Sequence, residues 1–289
     1  MYSPINLKAK QLVYLAALAG VLVFAACDIN SITDPNAGGN YSATESFSFE
    51  VQAASSQRFR LEGINGSLEI VGVSGARTAR IWGERIVRSR SASDARAYLD
   101  EVEVRVSASN AEVLAKTIQP EDTNGREVVV NYHVRIPAAW QAQLYNANGL
   151  ARVDSLRNRV AFEIANGQVQ VYDVVGEVDI ALTNGNVLLE NVLGNAQVVV
   201  TNGNVDAALV LPTPGTCAVG VINGNIALAL PKNTSAQFAA DVTNGAISVL
   251  DLIMQNTTTS RNSVRGQLGA GAGEIKLGTV NGTIRATGF

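Results

Sequence analysis

The chain has 289 residues, with 22 Lys and Arg against 25 Asp and Glu, for a net charge of −3. A mildly acidic balance argues against nucleic acid as a partner, because phosphate recognition requires a basic stripe. Two cysteines and one histidine leave no disulfide framework and no cysteine- or histidine-rich metal centre, so no cofactor is expected.

The first element is an export signal. Lys8 and Lys10 precede the apolar run from Leu12 to Phe24, which is followed by Ala25, Ala26 and Cys27. The run is about 13 residues, short of the roughly 20 that a membrane-spanning helix needs. The end of the signal, Val23-Phe24-Ala25-Ala26-Cys27, resembles the lipobox of bacterial lipoproteins. That resemblance implies cleavage after residue 26, lipid on the Cys27 sulfur, and a membrane as partner through that anchor. Phe24 stands where such signals usually carry Leu, which leaves an ordinary secretory signal or an uncleaved anchor as the competing reading. All of these export the protein; the lipoprotein reading places it in the cell envelope and leaves the membrane leaflet open. Residues 27–46 include Pro35 and Asn36-Ala-Gly-Gly-Asn40, a polar, turn-rich composition that predicts a flexible tether.

Residues 47–289 read as one all-β domain. An irregular stretch over about 77–133 is expected to cap it: a strand from Thr78 to Arg88, a short helix from Ser93 to Asp100 with Ser93 as N-cap, and a strand from Glu101 to Ser107 alternating on Val102, Val104 and Val106. Asn124-Gly125 follows Pro120-Glu-Asp-Thr and predicts a hairpin turn. A strand from Glu127 to Ile136 then leads through Pro137 into regular rungs over 138–289.

The rungs are marked by eight in-frame Asn-Gly pairs, at Asn65, Asn148, Asn166, Asn184, Asn202, Asn223, Asn244 and Asn281. From Asn148 the intervals are 18, 18, 18, 21, 21 and 37 residues. A fixed period of this size marks stacked units that cannot bury an apolar face alone. Counted from each asparagine, offsets −6, −4, −2, +3, +5 and +8 are apolar or Cys at 44 of 48 positions, against 10 of 32 at −5, −3, +2 and +4. One face of each strand is therefore dry and the other wet.

Alternating strands with Asn-Gly turns also fit an antiparallel sandwich, in which each pair closes a hairpin. A constant frame with the same inward offsets on both sides of every turn favours a parallel β-solenoid of 18 to 21 residues per rung, bent at one corner. Stacking at about 4.8 Å would then place the eight asparagines in a column. Crossover chirality predicts a right-handed β-helix. Phe289, at offset +8 of the last repeat, is expected to plug the final rung, and the long interval before Asn281 is expected to bud out as a polar loop.

The Asn-Gly-x-(Val/Ile) repeat, the entry Val134-Arg-Ile-Pro137 and the closing Gly271-Ala-Gly-Glu-Ile-Lys-Leu-Gly-Thr-Val-Asn-Gly-Thr-Ile284 together resemble the bacterial putative-adhesin family of β-strand-repeat proteins. The resemblance covers roughly residues 47–289. It implies an exported, envelope-associated solenoid and supplies no catalytic motif.

The residues themselves point the same way. His133 alternates with apolar neighbours and is expected on the wet face of its strand; Cys217 sits at an inward offset as a small hydrophobe. Solenoid lyases and hydrolases need clustered carboxylates. The outward acids Glu163, Asp179, Asp206 and Asp241 form no stacked pair at one offset on neighbouring rungs. The charge run Arg80, Glu84, Arg85, Arg88 and Arg90 reads either as a solvated strand or loop or as a basic patch that grips acidic glycans or lipid head groups. Trp82 and Trp140 read as packing or as sugar platforms. The expected role is thus a structural or adhesion-like one toward envelope glycans or proteins, with no catalytic, cofactor or metal residues; a carbohydrate-active β-helix enzyme is the alternative.

Overall fold

The computed structural model describes residues 41–52 and 57–289. The predicted signal, Cys27 and most of the predicted tether lie outside the described residues. Strands β1 (Tyr41–Gln52), β2 (Arg58–Glu62), β3 (Leu68–Val73) and β4 (Thr78–Ser89) precede helix α1 (Ala92–Leu99). Then come β5 (Glu103–Ala108), β6 (Glu112–Ile118), β7 (Glu127–Pro137), β8 (Gln141–Asp154), β9 (Val160–Tyr172) and β10 (Val178–Leu193). The remainder is β11 (Ala196–Asn202), β12 (Val205–Val210), β13 (Thr216–Asn223), β14 (Ile226–Leu230), β15 (Ala236–Leu250), β16 (Met254–Thr259), β17 (Ser263–Leu268) and β18 (Gly273–Gly288). The fold is all-β and solenoid-like, and strand structure begins at Tyr41 rather than at residue 47.

The repeat period is the strand register. Val160 on β9 lies opposite Val178 on β10, which lies opposite Ala196 on β11 and then Cys217 on β13, all in parallel pairs. These side chains are buried, as are their −4 and −2 counterparts such as Ile180, Val198 and Val219. Each rung thus extends one aliphatic core through its neighbours. Two inward −2 positions are polar, and each satisfies a corner carbonyl. Asn146 Nδ2 donates to Gly66 O at 3.0 Å and to Asn148 O at 2.9 Å, and Thr279 Oγ1 donates to Gly224 O at 3.0 Å. Offset +8 fails in the Asn202 rung, where Val210 is exposed while Leu209 is buried opposite Val192. Asn191, at φ 55, belongs to a bulge in β10 that shifts the register before this point.

At the corner, the amides of Asn148, Asn166, Asn184, Asn202, Asn223, Asn281 and Asn244 each donate Nδ2 to the Oδ1 of the rung beneath, at 2.6 to 2.9 Å. The first receiver, Asn65, donates to Val128 O at 3.3 Å. A shorter column runs beside it, in which backbone N–H groups of Asn204, Asn225 and Thr283 donate to Oδ1 of Asn186, Asn204 and Asn225 at 2.9 to 3.0 Å.

The stack does not follow chain order at its ends. Bonded asparagines are separated by 83, 18, 18, 18, 21, 58 and 37 residues. β18 lies between β13–β14 on one side and β15 on the other, so the last rung of the chain is the penultimate one of the stack. Phe289 is consequently no plug; it is 62 % exposed. The interval before Asn281 is not merely a loop either: β17 pairs antiparallel with β15 and β16 with β17, covering the outer edge of the Asn244 rung.

The other end repeats this device. β2 and β3, flanking Asn65, are inserted between β8 on one side and β6 and β7 on the other. Asn124-Gly125 is therefore not a hairpin turn, since β6 and β7 do not pair with each other. It lies in a wide corner between two strands that each run parallel to the Asn65 rung. Antiparallel strands close the outer edge, with β5 on β6, β4 on β7 and β1 on β4. These additions cover the edges of the terminal rungs and leave β1, β5 and β16 as the outermost described strands.

The helix is capped two residues before the expected N-cap, Ser93. Ser91, in extended conformation, accepts from Asp94 N at 3.2 Å. Hydrogen bonds from Arg126 and then Ser89 hold the Asp94 carboxyl down at about 2. Its contribution to stability is present above the ordinary carboxylate range and is lost as pH falls toward that value.

Candidate ligand-binding face

The four strands β1, β4, β7 and β3 form a continuous sheet beside the first rungs, and its outward side carries the chemistry. Alternation buries Ile81 and Val134 and turns Arg80, Trp82, His133 and Arg135 outward. The underside fixes the register. Phe47 meets the Tyr132 ring edge-on at 5.3 Å, Tyr132 OH and Thr117 Oγ1 are hydrogen-bonded at 2.7 Å, and a Cβ added at Gly83 would come within 1.8 Å of Asn131 O. Burial pushes the Tyr132 phenol up from its ordinary value, so it stays neutral.

Two rows cross the outward side. One runs Ser48, Trp82, His133, Glu69, Arg152; the other runs Glu50, Arg80, Arg135, Val71, Asp154. Trp82 and His133 are direct cross-strand neighbours, with ring centroids 5.7 Å apart and planes 25° from parallel. Arg80 and Arg135 face each other one row along, with Cζ atoms 5.2 and 5.5 Å from the Trp82 ring centroid. His133 Nδ1 lies 3.3 Å from Glu69 Oε2. Further along, Arg152 is 3.2 Å from Asp154 and stacks 4.5 Å over Tyr172.

Like charges directly opposite on adjacent strands repel. Elsewhere this protein interleaves its cations with acids: Arg88 with Glu127, Arg159 with Asp179, Arg265 with Asp241. Arg80 and Arg135 have no carboxylate within 4 Å among the described residues; Glu50, opposite Arg80, is exposed and forms no ion pair there. Two uncompensated guanidiniums thus share one indole, their donors open to solvent.

The structure divides the predicted basic run. Arg85 turns inward to Glu45 and to the Val102 carbonyl, Arg88 is tied to Glu127, and only Arg80 stays available beside Trp82. Arg135 completes the group and was missing from the run, although its parity with His133 places both on one face. Trp140 is 6 % exposed and belongs to the core. The outward acids stay apart: Asp179 and Asp241 are bound to Arg159 and Arg265, and neither Glu163 nor Asp206 has an acid opposite it in register. No group of three or more metal-ligating side chains occurs among the described residues, and no described helix is long and apolar enough to cross a membrane.

Cys217 is buried in the core, and desolvation pushes its thiol up to about 12. It should resist iodoacetamide in the native state and react only on unfolding. Mass mapping of the Cys217 peptide checks this, and fast native labelling would contradict its placement.

No curated protein matches the chain. Two solved structures are similar to it: a putative cell adhesion protein from Clostridium sporogenes, 11% identical, covering 92% of this chain and 100% of that one at a TM-score of 0.31, and a putative adhesin from Bacteroides fragilis, 8% identical, covering 83% and 96% at 0.29. A family model matches residues 41–287, nearly all of the folded domain, and the chain therefore belongs to the Toastrack DUF4097 family.

Proposed function

We propose that this protein is exported, anchored to a membrane by lipid on Cys27, and serves the cell envelope as an adhesion-like binding module rather than an enzyme. The observation that carries this reading is the outward sheet face around Trp82, where an aromatic ring lies beside two cations that have no ion pair among the described residues. An open sheet face suits an extended polymer or another surface, whereas small-molecule chemistry favours an enclosed cleft. In this reading the rungs wind as a right-handed β-helix, the hand that parallel crossovers adopt almost without exception.

Fractionation of the producing cells tests the anchor. The wild type should partition with membranes and yield an N-terminal peptide carrying acyl mass on Cys27, while Cys27→Ser should be released. A deletion strain should lose attachment to envelope material or to a surface. Unchanged attachment, or release of oligosaccharide ends from a polysaccharide by the purified protein, would replace this reading with another.

A further inference from the structure

We propose that Arg80, Arg135 and the Trp82 ring they lie over form a binding site for an acidic polysaccharide, the guanidiniums gripping its carboxylate or phosphate groups. This deepens the binding-module reading and rests on it. Three observations converge. The two guanidiniums are opposed in register without a counter-ion among the described residues, a repulsive arrangement that a bound anion relieves. Both lie over the same ring, with Cζ 5.2 and 5.5 Å from its centroid, and their N–H groups make no ion pair among the described residues and are left for bidentate bonds. Trp82 is half-buried in a sheet whose register is pinned from below, so the platform is set before any ligand arrives.

The neighbouring charges sharpen the argument. Glu69 is engaged by His133 on the next strand, one row away from the arginine pair. Glu50 lies opposite Arg80 in register and, though it forms no ion pair there, its charge opposes an incoming anion. Its removal should therefore strengthen binding, whereas removal of the arginines should weaken it. A purely structural role for this cluster makes no such prediction of opposite signs.

The test is titration calorimetry of the full-length protein with polygalacturonate, with a phosphate-bearing mannan, and with neutral dextran. Binding of either acidic polymer, weakening with salt, with dextran silent, supports the site, and the stronger of the two identifies the anion. Arg80→Ala with Arg135→Ala should lower affinity by about tenfold or more per guanidinium. Lysine at both positions should restore charge but only part of the binding. Glu50→Gln should tighten binding by about twofold to fivefold. Trp82→Phe, which preserves a ring should the alanine variant not fold, should weaken it less than the arginine changes.

Equal binding of dextran, no binding of either acidic polymer, or an unchanged affinity in a folded double-arginine variant would overturn the proposal. Cell attachment separates the two levels. If the double-arginine variant attaches as the wild type does, this site is wrong and the adhesion-like reading stands; if deletion of the whole protein changes no attachment, that reading falls first.

Discussion

Gly185→Ala should destabilise the protein far more than any surface glycine replacement. Gly185 has φ +137, a region that side chains rarely adopt, and a Cβ there would lie 1.6 Å from the carbonyl oxygen of Gly167 on the rung beneath. Backbone strain of roughly 1 to 3 kcal/mol and overpacking of similar size combine to about 4 kcal/mol. The clash is with backbone, so it cannot be relieved by turning a side chain; the rungs must separate, and the Asn184 to Asn166 and Asn202 to Asn184 amide bonds separate with them. Gly220→Ala is the matched control, because nothing lies within 4 Å of its added Cβ. It should be neutral or stabilising by about 0.5 kcal/mol through the unfolded chain. Thermal melts of both variants check the contrast, and equal midpoints would mean that the corners do not stack this closely.

Val198→Asp should be at least as damaging, by about 5 kcal/mol, through lost apolar burial and an unpaired buried charge. Val198 is fully buried, opposite Ile180 on one side and Val219 on the other. Solenoid stability is shared between nearest neighbours, so the damage should spread both ways along the stack. Hydrogen exchange resolved by peptide should show protection lost in β10 and β13 as well as in β11. Val199→Asp, one residue away on the wet face and opposite the uncharged Ala181 and Gly220, should change stability by no more than about 1 kcal/mol. Exchange confined to β11 in the Val198 variant would contradict a continuous core.

The sequence contains the corner and the inward face almost literally, because both are local. An Asn-Gly pair announces its own turn, and strand parity assigns Val178, Ile180 and Leu182 to one side wherever the strand sits. It does not contain the order of the stack. β18 carries the same inward pattern as every other rung, so nothing in Ile275 or Leu277 says that they belong between β13 and β15 rather than outside them. β1 escapes notice for a different reason. Its outward Ser42, Thr44 and Ser46 read as linker, and its burial comes from pairing with β4, some forty residues later. The candidate site was half legible for the same cause: Arg80 and Trp82 are neighbours in sequence, but Arg135 joins them through an antiparallel register fixed by Phe47, Gly83 and Tyr132 on the hidden side.

The interleaving at both ends constrains how the molecule can assemble during synthesis. The earliest rung, at Asn65, gains its two flanking layers only when β6, β7 and β8 have been made, and the gap between β13 and β15 is filled only by Gly273–Gly288. A nascent chain emerging from its N-terminus therefore cannot zip shut layer by layer behind the ribosome. Its final stretch acts as a keystone, and maturation waits for the whole polypeptide to be delivered.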